Sequence, residues 1–184
     1  MKSRKATGPV NINTKMSNVE TISLPLAGDY TLADGYDMRP GCPLRLSESG
    51  TSFEAGGDGS PLIFVNWTDY ASADSQMLQG DPFQDSLAER DTEGGRMTAI
   101  RGNGVVVEVP AYLFQDGIGA PAVPSVGDYV GAGSDVLLSP QMYSPAWSGK
   151  TNPSIGDIYF GVVEKVANGK VTFQFDSVGK YFQT

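Results

Sequence analysis

Pairs of carboxylates are the side chains of this sequence whose spacing best fits catalysis. Three pairs of aspartates stand close together along the chain: Asp34 and Asp37, Asp69 and Asp74, and Asp81 and Asp85. A glycosidase needs only two carboxylates, about 5 to 10 Å apart, but these normally come from different strands. Aspartate also collects in turns, because its side chain hydrogen-bonds the nearby backbone. We therefore interpret these pairs as turn residues and predict no catalytic residue.

The chain contains no histidine and a single cysteine, Cys42. Imidazole is the usual proton shuttle near neutral pH, so Ser-His-Asp, Cys-His and His-metal sites are excluded together. One cysteine also excludes an intrachain disulfide or a cysteine-clustered zinc site, and we expect Cys42 to be a small buried apolar residue. Phosphate-loop and nucleophile-elbow motifs are missing as well. The sequence thus predicts no enzyme, no cofactor and no metal site.

Aromatic side chains are the better candidates for binding. Tyr143 and Trp147 lie in a polar segment, residues 139–150, that is interrupted by prolines and a glycine. Exposed aromatics in rigid loops anchor protein interfaces or stack on sugars, so we select both as partner-binding residues. Burial of Trp147 in the core is the alternative for this segment, and Trp67, at the end of an apolar run, is interpreted as a core residue.

Charge is distributed unevenly along the 184 residues, whose formal net charge is −8. Residues 1–15 carry four basic side chains and no acidic one, and we select them as docking residues: Lys2, Arg4, Lys5 and Lys15. Residues 1–18 are too polar to fold alone and are predicted to form an extended N-terminal arm. The acidic remainder argues against nucleic acid as a partner. No apolar stretch reaches the roughly 20 residues of a membrane span, so we expect a soluble protein.

Short β-prone runs separated by glycine, proline and aspartate fill the rest of the chain, which we predict to be one β-rich domain, residues 19–184. Strands are predicted at residues 19–24, 30–32, 43–46 and 62–67. Residues 69–96 do not continue this pattern of β-prone runs and turns, and they are predicted to be a long loop excursion from the domain. Within it, Asp81 as N-cap and Pro82 at the first helical position predict one short helix.

Two hairpins are predicted in the C-terminal half. Residues 97–101 and 105–109 flank Gly102-Asn103-Gly104, which offers the positive φ angles of a tight turn. Asn168-Gly169 predicts a type I′ turn, which would set Val166 opposite Val171 and Val162 opposite Phe175. The alternation of apolar and polar residues in this second hairpin is typical of antiparallel sheets. The predicted fold class is mainly β, an antiparallel small β-barrel or sandwich with the N-terminal arm and at most one or two short helices.

Three segments together resemble a protein family. They are residues 126–130 (VGDYV), 156–163 (GDIYFGVV) and 168–173 (NGKVTF), and the pattern is similar to that of the small β-barrel decoration, or cement, proteins of tailed bacteriophages. The resemblance implies a virion protein without enzymatic activity, made in the host cytoplasm and bound to the outer surface of an assembled capsid. It further implies a homo-oligomer, a dimer or trimer, that bridges subunits of the major capsid protein and has no small-molecule substrate.

Two alternative functions remain open from the sequence. Another virion component, such as a tail, neck or fibre protein, would have the same composition. A carbohydrate-binding β-module, or a hydrolase that uses only carboxylates, would also fit a histidine-free β-protein.

Overall fold

The computed structural model describes residues 10–12, 19–30, 34–57, 60–68, 96–116, 120–139 and 141–183. The first eight strands are β1 (Asn11–Ile12), β2 (Glu20–Pro25), β3 (Pro43–Leu46), β4 (Phe53–Ala55), β5 (Leu62–Thr68), β6 (Arg96–Arg101), β7 (Val105–Pro110) and β8 (Phe114–Gln115). The other eight are β9 (Tyr129–Ala132), β10 (Val136–Ser139), β11 (Met142–Ser144), β12 (Trp147–Lys150), β13 (Ile158–Tyr159), β14 (Gly161–Ala167), β15 (Lys170–Phe175) and β16 (Lys180–Tyr181). The described helices are 3-10 turns at Gly28–Tyr30 and Ala111–Leu113. The predicted fold class, mainly β with antiparallel sheets, is confirmed.

The strands form two large sheets and two small ribbons. The seven-stranded sheet has the order β1-β7-β15-β14-β9-β12-β8, and the five-stranded sheet has the order β2-β6-β5-β3-β4. The first ribbon is β10 with β11, and the second ribbon is β13 with β16. All named strand pairs are antiparallel except β8 with β12. Short turns account for the antiparallel pairs β3–β4, β10–β11 and β14–β15, whereas the other antiparallel pairs join strands that are farther apart in the sequence.

The five-stranded sheet lies between two apolar clusters. Ile63 and Ile100 belong to the first core cluster, which the seven-stranded sheet supplies with Val107, Val171, Phe173 and Phe175 among others. Phe64 and Ala99, each adjacent in sequence to one of those isoleucines, belong to the second core cluster with Cys42, Leu44, Phe53 and Val136 among others. Successive strand residues point to opposite faces, so the central strands of this sheet are buried on both sides. The expected burial of Cys42 is confirmed, and burial raises the pKa of its thiol.

The predicted C-terminal hairpin forms, with its type I′ turn. Asn168 and Gly169 have φ angles of 54° and 71°, the left-handed values that both central residues of this turn require. Val166 lies opposite Val171, as predicted. The turn residues therefore set the register of the strand ends next to them.

Farther from the turn, the predicted register is wrong. The pairing of β14 with β15 shifts between Val163 and Lys165, so that Val163 lies opposite Phe173. This bulge turns Val163 into the core, while Val162 pairs with Tyr129 of β9 and keeps 36% of its surface exposed. An extra residue in one strand reverses the facing of every residue beyond it, and turn chemistry carries no information about such a bulge.

The second predicted hairpin, around residues 102–104, is wrong. Strand β6 pairs with β2 and β5, whereas β7 pairs with β1 and β15, so the glycine-rich link carries the chain from one sheet to the other. The end of β15 holds this corner: Ser177 Oγ accepts a 2.8 Å hydrogen bond from Gly102 N, and Asp176 Oδ1 accepts one of 2.6 Å from Gly104 N.

Other strand predictions have mixed outcomes. Strands at residues 19–24, 43–46 and 62–67 are confirmed within a residue or so of their predicted ends. The strand at residues 30–32 is wrong at its start, because Tyr30 ends a 3-10 helix, and its remaining residues lie outside the described part. Residues 69–95, with the predicted short helix, lie outside it too. In the part of the chain that is described, no helix has the length and apolarity to cross a bilayer.

Candidate protein interface

Trp147 is a core residue, which corrects the expectation of an exposed anchor. Its side chain is 0% exposed in β12, and its ring packs edge-on against Phe173 and Phe175, with centroids 5.7 and 6.0 Å away. The indole Nε1 donates a 2.8 Å hydrogen bond to Gly41 O. Because its apolar surface is buried and its indole N–H is hydrogen-bonded within the chain, Trp147 is not available to contact a partner protein.

The sequence around Trp147 left its burial in the core as an alternative and did not decide for it. Residues 147–150 (WSGK) do not alternate in the way of a predicted strand, yet β12 pairs with β9 on one side and β8 on the other. A Cβ at Gly149 would lie 2.5 Å from Pro124 Cβ, and a Cβ at Gly133 would crowd the Gln115 side chain and the carbonyl oxygen of Ala146. These contacts join residues far apart in the sequence, which local pattern does not report.

Tyr143 is exposed, as predicted, and it has an apolar neighbour. Strands β10 and β11 set it directly opposite Leu137, and the two side chains are 45% and 44% exposed. The next pair along the ribbon, Val136 and Ser144, is fully buried. The first ribbon therefore packs one face on the second core cluster and presents an aliphatic–tyrosine pair on the other.

The backbone of Tyr143 is clamped between two residues of the segment before β3. Its N–H donates to Gly35 O and its carbonyl accepts from Asp37 N, both at 2.8 Å. Between them, Tyr36 Oη donates a 3.0 Å hydrogen bond to Asp135 Oδ2 at the start of the first ribbon. Gly35 has a φ of 85°, which permits this close approach. The exposed pair is thus presented on a fixed support.

Alkaline pH should loosen this support. Burial, followed by the hydrogen bond to Asp135, raises the pKa of the Tyr36 phenol to about 12. Since the folded pKa lies above the ordinary value of about 10, the stabilising contribution is complete below pH 10 and is lost as the pH rises towards 12. We expect the unfolding free energy of the protein to fall across this interval by more than that of Tyr36→Phe, measured by denaturant titration. Equal losses would contradict the assignment.

The second ribbon carries a pair of the same kind. Ile158 of β13 lies opposite Tyr181 of β16, with 40% and 63% of their surfaces exposed. The neighbouring Tyr159 instead packs edge-on against Tyr129, at 5.0 Å, and Phe182 reaches the same ring at 5.3 Å. These half-buried rings attach the ribbon to β9 and leave the Ile158–Tyr181 pair facing solvent.

Charged groups beside the second ribbon are paired within the chain. Lys150 Nζ lies 3.0 Å from Asp157 Oδ2, and Lys180 forms an ion pair with Asp176. The lysine in the first pair holds the pKa of the Asp157 carboxyl below its ordinary value. Protein interfaces usually have a polar rim around a less polar centre, and these charged side chains beside the Ile158–Tyr181 pair are compatible with such a rim. We name Leu137, Tyr143, Ile158 and Tyr181 the exposed tyrosine pairs.

Within the described part of the chain, the other candidates from the sequence do not form a site. Lys2, Arg4, Lys5 and Lys15 lie outside the described residues, as do the aspartate pairs at 69 and 74 and at 81 and 85. Asp37 is buried and forms an ion pair with Arg39. Among the residues that the structure describes, no group of three or more histidine, cysteine or acidic side chains is arranged to hold a metal ion.

An open groove of about 880 Å³ lies where the five-stranded sheet meets the corner at residues 102–104. Its lining consists of Val19, Glu20, Arg45, Leu46, Ser60, Leu62, Arg101, Gly102, Asn103, Ser177 and Val178. Arg101 donates two hydrogen bonds to Glu20, at 2.7 and 2.9 Å, and Arg45 donates one of 2.9 Å to Glu54. Both guanidiniums are thus neutralised within the chain. This groove is not predictable from local sequence, because Glu20 and Arg101 are 81 residues apart.

Comparison with known proteins finds no matching family model, no matching curated protein and no matching solved structure.

Proposed function

We propose that this protein is a structural component of a virus particle, a capsid decoration protein that binds the outside of an assembled phage capsid and bridges subunits of the major capsid protein. The exposed tyrosine pairs carry the proposal. Each pair exposes an aliphatic side chain beside a tyrosine, and tyrosine is enriched among the residues that dominate binding energy at protein interfaces. The resemblance of residues 126–175 to cement proteins selects the kind of partner.

The mechanism is stabilisation by preferential binding. A protein that binds the mature shell and not its dissociated subunits stabilises the shell by RT ln(1 + [L]/Kd) at each site, about 2.7 kcal/mol when its free concentration is a hundred times Kd. The protein itself performs no reaction. The basic residues of the N-terminal arm would add electrostatic attraction to an acidic capsid surface and speed the encounter.

Removing Tyr143 tests the interface. We expect Tyr143→Ala to weaken attachment to particles that lack this protein by about 10- to 30-fold, the range of a central contact residue. Tyr112→Ala is the matched control, because Tyr112 is 47% exposed but stands outside both ribbons. Attachment is measured by cosedimentation, and thermal unfolding verifies that both variants fold. Equal affinities for the two variants would remove the first ribbon from the interface.

Imaging of the native assembly tests the function as a whole. The particle that contains this protein is purified and its copies are counted by cryo-electron microscopy. Hundreds of copies on the capsid surface are expected of a decoration protein, whereas six or twelve copies at one vertex would identify a tail or neck component. Specific binding to a glycan array, without attachment to a capsid, would support the carbohydrate-binding alternative instead.

A further inference from the structure

The N-terminal segment supplies a short strand to the edge of the seven-stranded sheet. Asn11 pairs with Glu108 and Ile12 with Val107, in antiparallel register on β7. Val10 and Ile12 pack against the first core cluster, while Asn11 Nδ2, between them, donates a 2.7 Å hydrogen bond to Glu108 Oε1. An apolar–amide–apolar sequence therefore fits this edge, two side chains facing the core and one facing a carboxylate.

The receiving edge is built by the body of the protein, independently of β1. Lys170 of β15 lies on the far side of β7, and its Nζ is 3.3 Å from Glu108 Oε1. The Asn11 amide and this ammonium group together hold the pKa of the Glu108 carboxyl below its ordinary value, so the acceptor is an anion near neutral pH. Since Lys170 contacts the carboxylate from the body side, we expect Glu108 to remain an anion when β1 leaves.

Attachment of β1 rests on few contacts. Among the described residues, two residue pairs join it to β7, against six pairs between β7 and β15. Strands held so briefly open at a small fraction of the global unfolding free energy, because little apolar surface and few backbone hydrogen bonds are lost.

We propose that the β7 edge is a strand-receiving site that takes residues 10–12 of a second copy of this chain, so that neighbouring molecules associate by exchanging their N-terminal arms. The structure itself identifies the occupant, because it seats this segment on this edge and every copy carries the same segment. The contacts made between two chains equal those made within one, which is the physical basis of strand exchange. The intrachain arm competes with an effective concentration on the order of millimolar. Exchange therefore increases as copies are concentrated.

Disulfide trapping between two differently labelled chains tests exchange in free solution, without any capsid. One chain carries Asn11→Cys and the other Glu108→Cys, and they are mixed under mild oxidation. The native thiol of Cys42 is 0% exposed and stays out of the reaction. We expect a covalent heterodimer whose yield rises steeply between about 10 μM and millimolar protein, and we expect Ile12→Asp, placed on the Asn11→Cys chain, to reduce that yield at least fivefold.

Two controls make the result decisive. Thr172 lies opposite Glu108 on the other side of β7, two strand spacings or about 10 Å from the β1 position, which is too far for a disulfide. Asn11→Cys mixed with Thr172→Cys should thus give no specific heterodimer, and an equal yield would mean random collision and overturn the proposal. If the double variant Asn11→Cys/Glu108→Cys closes within its own chain while the mixed single variants never cross-link at any concentration, the arm remains with its own sheet and exchange does not occur. Because no capsid is present, either outcome is independent of the proposed function.

Discussion

Replacing Trp147 by alanine should lower the free energy of unfolding by about 3 to 5 kcal/mol, the usual loss for a large aromatic side chain in a packed core. Its indole contacts two phenylalanines of β15 and ties β12 to Gly41 through its Nε1 hydrogen bond, so the cavity would open between strands that are distant in the sequence. Chemical denaturation with intrinsic fluorescence measures the change. A domain of this size has a total stability of about 5 to 15 kcal/mol, so the variant should be barely folded at elevated temperature.

Trp147→Phe separates the loss of apolar contacts from the loss of the indole hydrogen bond. Phenylalanine keeps most of the apolar contact but leaves the buried Gly41 carbonyl without its donor, which should cost about 1 to 3 kcal/mol. Tyr143→Ala is the matched surface variant and should change stability by less than about 0.5 kcal/mol. If Trp147→Ala were as stable as Tyr143→Ala, the tryptophan would not occupy the core.

Gly161→Ala should cost about 3 kcal/mol, because a Cβ at this position has no room. It would lie 2.9 Å from Phe173 Cδ2 and closer still to the carbonyl oxygen of Gln174, and neither a buried ring nor strand backbone yields easily. Pairing of Gly161 with Val130 of β9 would be disturbed at the same time. We expect a lower melting temperature and faster hydrogen exchange in β9 and β14.

Gly28→Ala is the control for that substitution. A Cβ at Gly28 meets no atom within 4 Å, and the residue is exposed at the start of a 3-10 turn. Its stability should differ from that of the original protein by less than about 0.5 kcal/mol. Equal destabilisation by the two alanines would show that a general glycine effect, and not crowding at Gly161, is responsible.

The local sequence correctly predicted those elements that depend mainly on residues close together in the chain. The Asn168-Gly169 turn and the Val166–Val171 pair were predicted correctly, because a type I′ turn fixes the residues that flank it. The apolar runs of β2, β3, β5 and β6 were recognised for a similar reason, since their composition favours extended backbone. The mainly β fold class followed from many such runs separated by turns.

Predictions failed where a distant partner decides the outcome. The glycines at residues 102–104 suit a hairpin, but the Asp176 and Ser177 groups that hold this link come from more than 70 residues away, and they guide it between two sheets. Strand β14 likewise pairs with β15 on one side of its bulge and has Val162 paired with Tyr129 of β9, a partner more than 30 residues away. The sequence of one strand does not show which other strands will pair with it.

In the candidate interface, too, local sequence was not sufficient and distant contacts decided which residues are exposed. Tyr143 and Trp147 are four residues apart in similar sequence surroundings, and the sequence selected both as partner-binding residues. Only the pairing of β12 with β8 and β9 buries the tryptophan, and only the first ribbon exposes the tyrosine beside Leu137. The Ile158–Tyr181 pair was not predicted, because its two strands lie more than 20 residues apart.

The sequence by itself determined a histidine-free, turn-rich β-protein with a basic N-terminal segment, because composition and turn chemistry act over a few residues. The tertiary structure decided which aromatic side chains face solvent, how the strands divide between two sheets, and that residues 10–12 pair with β7. These outcomes depend on which distant surfaces bury the most apolar area together, a comparison that is made only when the whole chain is folded.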